Sequence, residues 1–319
     1  MKRVLDRVEI AAMQAADLAR GSARRDRWTA HAADFLTLTK PRIAGMVALS
    51  AFVGGLLAAG PTANVARVAC AAACVTAAAA AASVFNQVLE RDTDRLMRRT
   101  QDRPLPAGRI AVRDAIFFGT ALTVAGIAGL ALAFNLLSAL LALSTLFAYV
   151  AVYTPLKRVS TLNTAVGALP GAAPPLIGYV ALSGAAGRWG WALFAILFVW
   201  QFPHFMAIAW LHRADYARAG MRMLPAIRGC ESVAARQAVV YSTALVPVAL
   251  LPGVHGDAGV VYSLGALVLS LAYVAASARF ALQPSEKSAR TVLLASLAYL
   301  PLVFALVLFD PVVGVGALH

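Results

Sequence analysis

Nine stretches of this chain are apolar enough and long enough to cross a hydrocarbon core: roughly 43–60, 65–89, 114–134, 136–154, 162–183, 189–212, 238–254, 258–278 and 291–310. A bilayer core about 30 Å thick takes about 20 helical residues. The pattern predicts an all-α polytopic membrane protein with nine transmembrane helices. One membrane domain is expected over 36–319, preceded by a cytoplasmic tail, 1–35. With 61% hydrophobic and 13% charged residues, the chain leaves no insert large enough to bury a soluble core. The third and fourth stretches are parted only near Asn135.

The basic residues set the orientation. Of 28 Lys and Arg, 26 fall in the N-terminal segment and the even-numbered loops. Only Arg67 and Arg188 fall on the other side. Positive residues stay inside, so the N-terminus and even loops are expected in the cytoplasm and the C-terminus outside, in a bacterial cytoplasmic (inner) membrane. The net charge of +13 then reflects orientation and contact with anionic membrane lipid rather than nucleic acid. The tail has no continuous apolar core and does not resemble a cleaved signal peptide. Residues 4–19 read equally as an amphipathic surface helix or an unordered tail. Cys70 and Cys74 are read as small packing residues, and no Cys/His spacing suits zinc.

The second apolar stretch ends in a charged segment, Asn86 to Pro106. It holds Glu90, Asp92, Asp94, Asp102 and five arginines. Carboxylates at a membrane boundary are costly and point to function. Asn86, Glu90 and Asp94 are spaced i, i+4, i+8, which stacks them along one helix face. Such a column offers hard oxygen ligands for Mg²⁺, which keeps waters and bridges to phosphates. The neighbouring arginines suit phosphate oxygens. A solvated helix end is the plain alternative, but its i, i+4 pairs, Glu90–Asp94 and Arg91–Arg95, are like-charged. Asp92 falls on the opposite side and is expected in a structural ion pair. Arg95, Arg99 and Arg103 continue the rhythm if the helix persists to Pro104.

Three further segments carry polar or aromatic groups. Lys157 and Arg158 lie in a short basic loop, as topology anchors or anion partners. Gly167 to Tyr179 is rich in Gly and Pro within an apolar span, which fits either a packing kink or backbone lining a cavity. His204 lies inside the sixth span behind Pro203, among Trp200, Phe202, Phe205 and Trp210. It reads as a core histidine, or as a contact for a flat aromatic ligand such as haem. Arg213 and Asp215 follow at the cytoplasmic level.

Taken together, LTKPR (Leu38–Arg42), Asn86–Gly108, Tyr153–Tyr179 and Trp200–Pro225 resemble the UbiA-type intramembrane prenyltransferases, over about 35–310. The arginine-rich first motif and the WQFPHF segment resemble the haem-modifying branch. The resemblance implies nine helices around a central chamber opening to the cytoplasmic face. It implies transfer of a farnesyl group from farnesyl diphosphate to a vinyl group of haem B, with water added, giving haem O and diphosphate. The implied cofactor is Mg²⁺, held by Asn86, Glu90, Asp94 and Asp215. Arg99, Arg103, Lys157, Arg158 and Arg213 would bind the diphosphate, and His204 the haem, with Lys40 and Arg42 as candidates for its propionates. A haem A synthase or oxidase assembly factor would be a downstream partner. Two departures stand out: Gln87 replaces a customary Asp, and the second motif, His212 to Tyr216, has one carboxylate. A quinone-pathway aromatic prenyltransferase and a membrane transporter are the competing readings.

Overall fold

The computed structural model describes residues 30–227, 229–310 and 312. The expectation for 4–19 and most of the N-terminal tail lies outside them. Nine helices among the described residues are long and apolar enough to span a membrane. They are α1 (Pro41–Ala59), α2 (Val65–Leu89), α3 (Val112–Ala133), α4 (from Leu136), α5 (Asn163–Ser183), α6 (Arg188–Leu211), α7 (Glu231–Val254), α8 (Val260–Leu282) and α9 (Glu286–Phe309). A short helix over 30–38 precedes α1.

The helices form two groups that meet between α5 and α6. In the first, α1 packs on α2 and α5, α2 on α3, α3 on α4, and α4 on α5. In the second, α6 packs on α7 and α9, and α8 lies between α7 and α9. Lipid gives no hydrophobic drive between helices, so small residues and interhelical hydrogen bonds must hold them. Ala71, Ala72, Val75 and Ala78 of α2 are buried against Leu130, Ala139, Ala142 and Ile177. At Gly54 and Gly178 an added Cβ would strike the carbonyl oxygens of Pro175 and Ala51, so α1 and α5 touch backbone to backbone. Asn135 caps α4 by accepting from Ser138 N at 2.9 Å, and its amide donates to the Val180 carbonyl at 2.8 Å. That double role separates the two apolar stretches that run together in the sequence. The second group is filled by aromatics, with Tyr262, Tyr273, Tyr299 and Phe280 fully buried.

Three sequence expectations need correction. The helix does not persist through Arg103. It ends at Leu89, Glu90 is a bend residue, a four-residue turn covers Arg91–Asp94, and turns follow. Second, α7 and α9 begin earlier than their apolar stretches, at Glu231 and Glu286. A Ser285–Ser288 capping box starts α9. Third, α5 is continuous despite Pro170, Pro174 and Pro175.

One irregularity was invisible in the sequence. After Phe147, α4 widens into a π-helix over Ala148–Tyr153 before closing as Thr154–Leu156. Pro155 has no N–H to continue an α ladder. Both the backbone N–H and the hydroxyl of Thr154 turn instead to the Tyr149 carbonyl, the latter at 2.8 Å. Such π turns occur mostly at functional sites.

Candidate active site

The polar column survives the bend at Glu90. The Glu90 N–H still donates to the Asn86 carbonyl at 2.9 Å, and the Asp94 N–H to the Glu90 carbonyl at 2.7 Å. Asn86, Glu90 and Asp94 are therefore all buried, at 1%, 8% and 1% exposure. Asp92 turns outward, 73% exposed, and pairs with Arg91 and Arg95. The helical phase read from the sequence is thus correct.

Each buried acceptor faces a cation from a different part of the chain. Lys40 Nζ donates to Asn86 Oδ1 at 3.0 Å. Lys157 Nζ lies 2.9 Å from Glu90 Oε1, both side chains nearly closed from water. Arg103 donates to Asp94 Oδ2 at 2.8 Å. The π segment completes the floor: Asn86 donates its amide hydrogen to Thr154 Oγ1 at 3.1 Å, and Lys157 Nζ sits 4.5 Å above the Tyr153 ring.

Lys40, expected only as a candidate partner for a haem propionate, is one of the three cations of this cluster. It is the sole non-glycine residue with positive φ, 53°, among the described residues. That strained conformation, held between the 30–38 helix and Pro41, carries the side chain to Asn86. Arg42 does line the cavity described below. Gln87 explains its own departure from the family pattern. Fully buried, it donates to the carbonyls of Leu38 at 2.7 Å and Ser83 at 3.3 Å. An aspartate could accept but not donate there, so Gln87 fastens the 30–38 helix beside Lys40.

The environments differ in sign. Burial pushes the Asp94 carboxyl above its ordinary range, although Arg103 opposes the shift. Burial pulls the Lys40 ammonium below the usual lysine value. Burial acts the same way on Lys157, but the oxygens of Tyr153 and Glu90 outweigh it and the net shift is upward.

Two oxygens bear on a metal. Asp94 Oδ1 and Glu90 Oε1 are buried without a hydrogen-bond partner. Glu90 Oε1 is met by the Lys157 ammonium at 2.9 Å as an ion pair, so among the described residues Asp94 Oδ1 is the oxygen left with no cation or donor. Carboxylate oxygens beside an amide oxygen are a donor set that fits Mg²⁺. Among the described residues no three acidic, His or Cys side chains converge on one point. Asp215 accordingly does not complete a cage; it pairs with Arg218 at 3.2 Å.

The second motif packs against the first. Arg99 donates to the Tyr216 hydroxyl at 3.2 Å. The Arg222 N–H donates to the Lys157 carbonyl at 2.7 Å. Met97 is buried against Ala209, Ala219, Met221 and Met223. Two further expected anion partners have these surroundings. Arg213 donates to the Trp210 carbonyl at 2.8 Å and stacks on the Trp210 ring. Arg158 is exposed and engages no side-chain partner among the described residues.

Beneath the polar cluster, a cavity of about 360 Å³ runs between α1, α2, α4, α5, α6 and α9. Tyr149, Ser83 and Arg42 stand on its wall beside the polar cluster. Pro170, Gly171 and Pro174 line it, so the Gly/Pro-rich segment serves a cavity. His204 lines it as well, with Trp200 and Phe205. The His204 ring stacks on Trp200 at 5.0 Å and meets Ser296 Oγ through Nδ1 at 2.7 Å.

This architecture has known counterparts. Residues 47–309 match the UbiA prenyltransferase family. A solved structure described as digeranylgeranylglyceryl phosphate synthase superposes with a TM-score of 0.70 at 17% identity, covering 90% of this chain and 98% of that one. A UbiA homologue from Archaeoglobus fulgidus, solved bound to GPP and Mg²⁺, superposes with a TM-score of 0.58 at 19% identity, covering 86% and 99%. The chain belongs to the UbiA prenyltransferase family and is an integral membrane protein. Within that family its similarity runs to protoheme IX farnesyltransferases. That of Solibacter usitatus is 43% identical over 87% of this chain and 98% of its own length. That of Koribacter versatilis is 39% identical over 87% and 93%.

Proposed function

We propose that the chain transfers a farnesyl group from farnesyl diphosphate to a vinyl group of haem B, with water adding, to give haem O and diphosphate. The observation that carries this reading is one juxtaposition. A buried cluster of two carboxylates, an amide and three cations adjoins, through Ser83 and Tyr149, an apolar cavity that Trp200, His204 and Phe205 also line.

Asn86, Glu90 and Asp94, with Asp215 from the facing loop, would hold Mg²⁺. When bound, the metal supplies positive charge to the leaving diphosphate. Lys40, Lys157 and Arg103, which now neutralise these acceptors, would turn to the phosphate oxygens once the metal takes their place. Arg99, Arg158 and Arg213 would add charge-assisted contacts from the rim. The α1, α2 and α4 wall, with Val47, Val75, Ala78 and Leu146, takes the farnesyl chain. It keeps water from the allylic cation while the bond to the vinyl carbon forms. Trp200, His204 and Phe205 take the porphyrin, and Arg42 a propionate. The charge asymmetry supports a polar face on the cytoplasmic side of the bacterial cytoplasmic membrane.

Purified protein supplied with farnesyl diphosphate and Mg²⁺ tests the acceptor. Haem B and 4-hydroxybenzoate are offered in separate reactions and products resolved by chromatography. Farnesylated haem alone is expected. Farnesylated hydroxybenzoate with unchanged haem would place the chain in the quinone pathway.

A further inference from the structure

We infer that Ser296 on α9 is a positioning residue that fixes the tautomer of His204, leaving its Nε2 lone pair free toward the cavity. For its functional consequence the inference rests on His204 contacting haem iron. A serine hydroxyl has one hydrogen and two lone pairs. Ser296 Oγ lies 2.6 Å from the Leu293 carbonyl oxygen, which can only accept, so the hydroxyl hydrogen goes there. His204 Nδ1 lies 2.7 Å from the same Oγ. With the serine hydrogen committed, the imidazole must be the donor, and Nδ1 carries the proton.

The ring has little reason to carry a second proton. The groups packed against it are Ser296, Trp200 and Phe205, with the Tyr273 hydroxyl beside Ser296 donating to the Trp200 carbonyl, and the charged group on the shared cavity wall is Arg42, a cation. A neutral imidazole protonated on Nδ1 presents Nε2 as a bare lone pair, the form that ligates iron. The edge bearing Nδ1 is tied to α9, which leaves the Nε2 edge for the cavity that His204 lines.

The clamp extends beyond one bond. Trp200 Nε1 donates to the Ser296 carbonyl at 3.0 Å, and Tyr273 donates to the Trp200 carbonyl at 3.2 Å. Indole, serine and imidazole thus hold one another across α6, α8 and α9. Ser296 is fully buried, so no water competes for its hydroxyl. A metal-binding histidine whose outer N–H partner is removed characteristically loses ten- to a hundredfold in affinity.

The test uses full-length protein with nitrogen-isotope-labelled histidine, first without haem. The His204 signal is identified by its loss in His204→Gln. Nuclear magnetic resonance at neutral pH should show Nδ1 protonated and Nε2 bare in the parent. Ser296→Ala should give mixed tautomers, and Ser296→Thr, which keeps the hydroxyl, should restore the parent pattern. Haem titration followed by the Soret band should then show affinity about tenfold weaker in Ser296→Ala and near the parent in Ser296→Thr. A parent protonated on Nε2, or a Ser296→Ala variant with unchanged tautomer, would overturn the assignment. If the tautomer shifts but His204→Gln binds haem with an unchanged spectrum, the positioning stands and the haem-contacting role falls.

Discussion

Asp94 and Asp92 are two residues apart and meet opposite fates, which makes them the sharpest probe of the site. Asp94 is 1% exposed with one unpartnered oxygen, whereas Asp92 is solvated. Asn86→Ala, Glu90→Gln or Asp94→Asn should each lower turnover by on the order of a hundredfold or more, the usual loss for a preorganised electrostatic contact. Asp92→Asn should change it less than about threefold, as befits an exposed ion pair. Assays on protein quantified in the membrane separate this from poor insertion. Equal sensitivity of Asp92 and Glu90 would mean the column is not the site.

The shifted groups also predict a pH profile. Asp94 must be ionised to hold a cation, and burial raises its pKa above the ordinary 3.8. As pH falls, it is protonated earlier than a free aspartate, and the Mg²⁺ concentration for half-activity should rise over that interval. Lys40 must be protonated to meet phosphate, and burial lowers its pKa from 10.5. The alkaline limb should therefore lie below the usual lysine range, and Lys40→Arg should move it upward. A limb unmoved by Lys40→Arg would remove Lys40 from the diphosphate site. The acids were legible from spacing because the i, i+4 rhythm survives the bend. Lys40 was not, because no periodicity announces a left-handed residue.

At the scale of elements, the contact of α1 with α5 depends on two glycines. Gly54→Ala and Gly178→Ala each drive a methyl into a backbone carbonyl. Each should cost about 1–3 kcal/mol, seen as a lower midpoint of thermal unfolding in detergent. Gly45→Ala, whose Cβ would meet nothing within 4 Å, should be neutral or slightly stabilising. Equal effects at all three positions would deny the close approach.

The same pair of helices shows where sequence reading stops. The Gly/Pro content of α5 signalled a special wall but not its continuity, since neighbouring helices can hold a proline-bearing helix straight. Nor could local pattern show that Pro155 and Thr154 open α4 into a π turn. The predicted rhythm Arg95–Arg99–Arg103 failed for a related reason. Arg95 donates to the Pro106 carbonyl and Arg103 reaches back to Asp94, contacts available only once the chain turns.

For the whole molecule, span number was legible because hydrocarbon thickness sets helix length, and orientation rests on the 26 basic residues of one side. Reporter fusions after Gly187 should read external, and after Ala226 cytoplasmic; the reverse at either would turn the polar mouth to the wrong side. The pairing of helices into two groups was not legible, since interhelical packing of alanine and glycine leaves no periodic signature.

The most direct measurement follows the oxygen. Protein, haem B, farnesyl diphosphate and Mg²⁺ are incubated in heavy-oxygen water, and the haem and diphosphate products are weighed by mass spectrometry. Breaking the farnesyl carbon–oxygen bond at the polar mouth, joining the chain to the vinyl group and capturing the resulting cation with water predicts one farnesyl and one heavy hydroxyl on haem, with unlabelled diphosphate. Label in the diphosphate, with haem of unchanged mass, would contradict the account.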